Sequence, residues 1–244
     1  MGVVLGRDPL IPPKRLQRYG RRDFAEAGDA YLGHLLDLAG LQPGHAVLDV
    51  GCGWGRVARP VVRYLDPARG CYEGFDVDRR AIGWCRRAYA RRARHARFLR
   101  ADLFHPRVHP GGAHRADEYR FPYEDDRFDV VVATSVFPHM LEAETTRYLG
   151  EIARVLRPGG ALFATCFVLD EGSRAAIADG RATFPFLDPS AHVALVSEDL
   201  PDEAVAYDRG WIAERLGLDL AVDEGSWRGG EGRDLLDIVV ARAA

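Results

Sequence analysis

The feature that most constrains this 244-residue chain is the run Val47-Leu48-Asp49-Val50-Gly51-Cys52-Gly53-Trp54-Gly55-Arg56. A short apolar stretch that reads as a buried strand passes directly into three glycines at alternate positions, and a helical pattern follows. Glycines are needed where the chain must turn tightly and let a ligand touch its backbone, with the next helix aiming its N-terminus at whatever binds. The spacing matters. The dinucleotide fingerprint Gly-x-Gly-x-x-Gly would put its third glycine at Arg56, whereas here it stands at Gly55. Asp49 also puts a negative charge beside the loop, which favours a nucleoside over a pyrophosphate and disfavours a nicotinamide-dependent oxidoreductase.

Around this loop the chain alternates apolar β-branched runs (46–50, 71–75, 96–99, 128–134 and 161–168) with amphipathic stretches (54–65, 78–92 and 142–156), the pattern of βα units feeding a parallel sheet. In the second helix Ile82, Cys85 and Tyr89 share one face, and Arg79, Arg80, Arg86 and Arg87 fall largely on the other, which reads as a solvated face in preference to a phosphate footprint. Residues 1–44 form an arm, with Pro9, Pro12 and Pro13 followed by a helix over 24–38 that stops at Gly40 and Pro43; it reads as a lid or a packing helix ahead of a domain spanning 45–244. Residues 105–123 are a long insertion, functional or mobile, whose His105, His109 and His114 lack an acidic partner at ligand spacing, so a flexible loop is favoured over a metal site. Residues 170–200 read as a cap over the strand ends. A helix over 203–216, a strand over 219–227 and a last, centrally buried strand over 235–242 complete the chain.

Charge and composition exclude several classes. Against 36 acidic residues stand 33 basic ones, all arginine except Lys14, and the formal charge of -3 gives no field for a nucleic acid or an anionic membrane. Cys52, Cys71, Cys85 and Cys166 include no C-x-x-C pair, so reduced and mostly buried thiols are expected. No stretch approaches the ~20 apolar residues of a spanning helix, and the opening residues are too short a run for a signal peptide, so the expected location is the cytoplasm.

The second and third strands end in acids. Asp76, 21 residues beyond Gly55, stands where a carboxylate can accept from both ribose hydroxyls. Asp102 stands where one can accept from an adenine amino group, with Leu103 packing on the ring. Either acid alone could simply cap a helix; three consecutive strand ends with glycine-rich or acidic tips are less readily explained that way. With these residues the chain resembles the class I S-adenosylmethionine-dependent methyltransferases over roughly residues 30–170. The segments Phe121-Pro122-Tyr123-Glu124-Asp125-Asp126-Arg127-Phe128-Asp129-Val130-Val131 and Glu151-Ile152-Ala153-Arg154-Val155-Leu156-Arg157-Pro158-Gly159-Gly160 add to the likeness. The resemblance implies a Rossmann-like α/β fold, with seven mostly parallel strands and the last antiparallel, plus the N-terminal helical arm and a cap insertion after strand 5. It implies S-adenosyl-L-methionine as cofactor, with Asp49, Gly51, Cys52 and Gly53 around the methionine part, Asp76 and Val77 at the ribose and adenine edge, Asp102 and Leu103 at the adenine, and Ser135 near the sulfonium.

Methyl transfer is an in-line displacement that needs a positioned nucleophile and, for many acceptors, a proton acceptor. His139, just past the fourth strand, is the candidate base, or it orients its loop; His192 in the cap is a weaker one. Tyr19, Phe24, Tyr31, His139 and Tyr207 are expected to contact a small organic acceptor, methylated on oxygen or nitrogen, with Arg21, Arg22, Phe184, Phe186 and Trp211 nearby. No metal is expected. A non-catalytic cofactor-binding or interaction module is the alternative, and the sequence leaves a homodimer open.

Overall fold

The structure is a computed structural model and describes residues 8–17, 23–106 and 108–243. In chain order the elements are α1 (Phe24–His34), β1 (Ala46–Val50), α2 (Ala58–Tyr64), β2 (Cys71–Asp76), α3 (Arg79–Tyr89), β3 (Ala96–Arg100), β4 (Phe128–Thr134), α4 (Glu142–Val155) and β5 (Leu156–Leu169). Then follow α5 (Glu171–Ala178), β6 (Val193–Leu195), β7 (Val205–Asp208), α6 (Arg209–Leu216), β8 (Leu220–Asp223) and β9 (Asp237–Arg242). Seven strands make the main sheet in the order β3-β2-β1-β4-β5-β9-β8, parallel except for β9, which runs antiparallel between β5 and β8.

Alternation along the buried strands sorts side chains into two cores. Val130 and Val132 of β4 join Leu35, Val61, Ile82 and Phe163 beneath α1, α2 and α3, while Val131 and Ala133 join Leu149, Ile152, Ile212 and Leu216 beneath α4 and α6. Strand β5 outruns its antiparallel neighbour. Its residues Ala161 to Cys166 pair with β9, and Phe167, Val168 and Leu169 pair instead with β7, to which β6 adds antiparallel. Asp237 manages the handover: its buried carboxylate accepts from Val168 N–H, Gly225 N–H, Trp227 Nε1 and Arg228 Nε, each at 2.8 Å. Arg228 also binds Asp170 and so ties the start of the cap to the sheet.

Several sequence expectations change. The helix expected over 203–216 is a strand followed by α6, because residues 205–208 complete the ladder left open by β5, and Asp208 then caps α6 by accepting from Trp211 N–H at 3.0 Å. The helix over 54–65 begins only at Ala58, since the glycine turn occupies the residues before it. The helix over 24–38 is α1 plus one π-helical turn, Leu35–Ala39, stopped by Gly40 at φ 68°. Of the two readings of the arm, α1 accords with a packing helix: it lies close enough to the chain before α2 that a Cβ on Gly28 would meet the Arg56 carbonyl at 2.3 Å. Nor is the second half of 105–123 a free loop. Phe121 is buried against Phe75 and Tyr148, its N–H donates to Glu151, and Arg154 donates to the carbonyls of Phe121 and Tyr123.

Candidate active site

The glycine turn closes onto β2. Gly51 and Cys52 both donate their N–H to the Phe75 carbonyl, at 2.9 and 3.1 Å. Gly51, Gly53 and Gly55 lie at φ 70°, 51° and 79°, a region side-chain-bearing residues avoid. A Cβ on Gly51 would stand 2.7 Å from Val136 Cγ2, so the turn also needs glycine for space. Cys85 and Tyr89 of α3 support it from below, donating to the carbonyls of Gly53 and Gly55 at 3.6 and 3.2 Å.

Asp76 locks to the same turn. Gly53 N–H donates to its Oδ2 and Asp78 N–H to its Oδ1, each at 2.8 Å, and each oxygen keeps capacity for a further donor. Burial holds the Asp76 carboxyl above its usual range despite these two bonds. Beneath the turn, Asp49 is fully buried. The Tyr72 hydroxyl donates to Asp49 Oδ2, while Oδ1 has no hydrogen-bond partner. Burial pushes the Asp49 carboxyl up to about 7; the Tyr72 hydrogen bond opposes the rise and the nearby Asp76 charge adds to it. Two acids beside a glycine cradle, one with an unsatisfied buried oxygen, suit a nucleoside carrying a positive sulfonium and repel a pyrophosphate. These residues therefore fit S-adenosylmethionine, with Asp76 available to ribose hydroxyls and Asp49 supplying charge beneath the methionine part.

The other expected residues divide. Cys52 is buried with its thiol pushed well up by burial, an inert wall of the turn. Val77 is half-buried against the core. Ala101 N–H donates to the Asp76 carbonyl at 3.0 Å, which sets Asp102 at the same edge, but the Asp102 carboxylate is exposed and bound to His109 Nε2 of the insertion at 2.6 Å. Leu103 is buried and bridges to His114. Ser135 takes φ 56° and donates its N–H to Thr165 Oγ1 at 2.8 Å, which holds the end of β4 in a strained bend beside Gly51. His139 is exposed and its Nδ1 meets the Asp202 carbonyl at 3.1 Å; His192 binds Glu142 at 3.0 Å.

Three expected acceptor contacts are core residues instead. Tyr207 is wholly buried, its hydroxyl donating its one proton to the Met140 carbonyl and accepting from Thr145 Oγ1, so it is engaged inside the protein. Tyr31 packs edge-on against Phe163, and Phe24 is buried at the start of α1. Phe184 and Phe186 pack with Phe167 and Trp227 in the cap's own core. Tyr19, Arg21 and Arg22 lie outside the described residues. Sequence reasoning missed Tyr72, Thr165 and Val136, and it read Cys85 and Tyr89 only as a packing face; their i, i+4 spacing marks burial but not what they hold.

Comparison with known proteins agrees with this geometry. A family described as "Methyltransferase domain" matches residues 48–164, and one described as "Mycolic acid cyclopropane synthetase" matches residues 19–68. The chain is 37% identical over 126 residues to phthiotriol/phenolphthiotriol dimycocerosates methyltransferase 1 of Mycobacterium ulcerans, covering 50% of this chain and 37% of that one. It is 28% identical over 209 residues to the sterol 24-C-methyltransferase erg6 of Schizosaccharomyces pombe, covering 84% of this chain and 48% of the other. It thus spans less than half the length of these curated relatives. The crystal structure of a SAM-dependent methyltransferase from Aquifex aeolicus shares the fold, with a TM-score of 0.59 at 18% identity over 96% of this chain and 100% of that one. Among the described residues no helix is long and apolar enough to cross a membrane. By its motifs, its cradle and these matches, the chain carries over residues 48–164 a domain similar to the class I S-adenosylmethionine-dependent methyltransferases.

Proposed function

We propose that this chain methylates a small lipid-like or secondary-metabolite acceptor, on oxygen or nitrogen, with S-adenosylmethionine as donor. The observation that carries the reading is the Gly53–Asp76 hydrogen bond, which joins the glycine turn to the ribose-side acid above the buried Asp49. When bound, the cofactor supplies an electrophilic methyl group whose C–S bond breaks, leaving the electron pair on sulfur, as the acceptor's lone pair bonds to carbon. Asp76 would hold the ribose hydroxyls and so fix the nucleoside; Asp49 would favour the cationic donor over its neutral product; and the Ser135 bend, pinned to Thr165, would line the cofactor pocket. The lipid-like acceptor class is supported by the relatives named for a sterol and for phthiotriol dimycocerosates.

His139 serves as the proton acceptor. A carbonyl only accepts, so the contact with Asp202 requires the proton on Nδ1 and leaves Nε2 with its lone pair in the neutral ring. The test is release of S-adenosylhomocysteine with a panel of hydroxylated lipids and amines. A turned-over acceptor is expected, with His139→Gln lowering kcat about 10²-fold while cofactor affinity stays near wild type. Near-normal turnover in His139→Gln removes the base assignment. Cofactor binding without turnover of any acceptor leaves a binding module, and tighter binding of a nicotinamide dinucleotide removes the methyltransferase reading itself.

A further inference from the structure

Trp54 of the glycine turn also lines a cavity of about 460 Å³ that none of Asp49, Gly51, Gly53 and Asp76 lines. Three separate segments supply its wall: Arg15 from the N-terminal segment, Trp54 from the glycine turn, and Arg79, Arg80, Trp84 and Arg87 from α3. The four guanidiniums make no ion pair or hydrogen bond with any described residue. Arg59, Arg63, Arg154 and Arg228, by contrast, each meet a carboxylate. Four like charges around one cavity repel one another, and an anion placed among them removes that cost. The indoles of Trp54 and Trp84, with ring centroids 6.4 Å apart and planes tilted by 53°, give the same cavity an apolar wall. Gly83 keeps it open: a Cβ there would meet only Arg87 Nη1, at 3.5 Å.

We propose that this cavity is a binding site for a phosphate monoester with an apolar body, the phosphate among the arginines and the body against the two indoles. A phosphate dianion presents several acceptor oxygens to guanidinium forks, which one carboxylate cannot match in charge or in number. The α3 arginines, which the sequence presents as a solvated face, are on this view half of a ligand site completed by Arg15 and the indoles. The site does not depend on the methyl acceptor, since none of these arginines belongs to the cradle.

The test is calorimetry at low salt with three probes: 1-naphthyl phosphate, inorganic phosphate, and vesicles of phosphatidic acid set against phosphatidylcholine. Binding of 1-naphthyl phosphate is expected, at least ~10-fold tighter than inorganic phosphate and weakened at least ~10-fold in Arg80→Gln and in Arg87→Gln. Binding of phosphatidic acid vesicles alone, with the same sensitivity to both variants, supports the site and identifies a lipid headgroup as the source. Gly83→Leu keeps every arginine, improves helix propensity and fills the space, so it should abolish binding while melting no lower than wild type. The proposal is overturned if no phosphate probe binds below 1 mM, if inorganic phosphate binds as tightly as the ester, or if Gly83→Leu binds like wild type. It is also overturned if S-adenosylmethionine displaces the ester stoichiometrically, since the cavity would then belong to the cofactor. Simultaneous binding of both ligands keeps the two sites distinct.

Discussion

Asp49→Asn is the most informative single substitution in the cradle. The carboxyl is held near 7 against an ordinary value of 3.8, because burial disfavours its charged form. The folded protein therefore binds more protons than the unfolded chain between those values, and stability is lost as pH rises through that window. At about 1.4 kcal/mol per pH unit, the ionised Asp49 costs the fold roughly 4 kcal/mol at pH 8. Asparagine keeps the carbonyl that accepts from Tyr72 and removes the charge. In urea melts without cofactor, Asp49→Asn should be more stable than wild type at pH 8 by up to about 4 kcal/mol, and the difference should shrink toward pH 4. A cationic cofactor reverses the sign by favouring the ionised form. Wild-type affinity should thus fall about tenfold from pH 8 to pH 6 with uptake of a proton by the free enzyme, while Asp49→Asn binds more weakly and with little pH dependence. Calorimetry in two buffers of different ionisation enthalpy reads the proton directly. Equal pH slopes in the two proteins, or a less stable Asp49→Asn at pH 8, would refute the argument.

Three further outcomes follow from the same geometry. Asp76→Ala should weaken S-adenosylmethionine binding by about 1–3 kcal/mol, measured by calorimetry, because the ribose hydroxyls lose a charged acceptor; unchanged affinity removes the ribose assignment. Gly51→Ala should lower stability by about 1–3 kcal/mol through its positive φ and the clash with Val136, and adding Val136→Ala should recover only the clash, as read by a double-mutant cycle in denaturant. Tyr207→Phe should cost about 1–3 kcal/mol of stability, since Thr145 and the Met140 carbonyl lose a buried partner, yet leave KM for the acceptor unchanged. A raised KM with intact stability would return Tyr207 to the acceptor site.

By itself the sequence determined the βα alternation, the turn at Gly51 to Gly55, the acid at Asp76 and the burial of the last strand, which the structure places second from the sheet edge rather than in the middle. Each is a local statement: a period of apolar residues, a need for positive φ, or a charge at a fixed offset from a strand end, and short-range chemistry is enough to write it. What covers an apolar face is not local. The aromatic residues Tyr31 and Tyr207 look alike in sequence whether they meet a ligand or a neighbouring helix, and only the tertiary structure put them in the core. The same holds for 205–208, whose preference for a strand came from the open ladder of β5 rather than from its own pattern. Asp49 shows the division most clearly: its place before the glycines could be read directly, but its raised pKa comes from burial under the closed layers around it, with the Asp76 charge adding and the Tyr72 hydrogen bond opposing, because desolvation is set by everything packed within a few ångströms and by nothing along the chain.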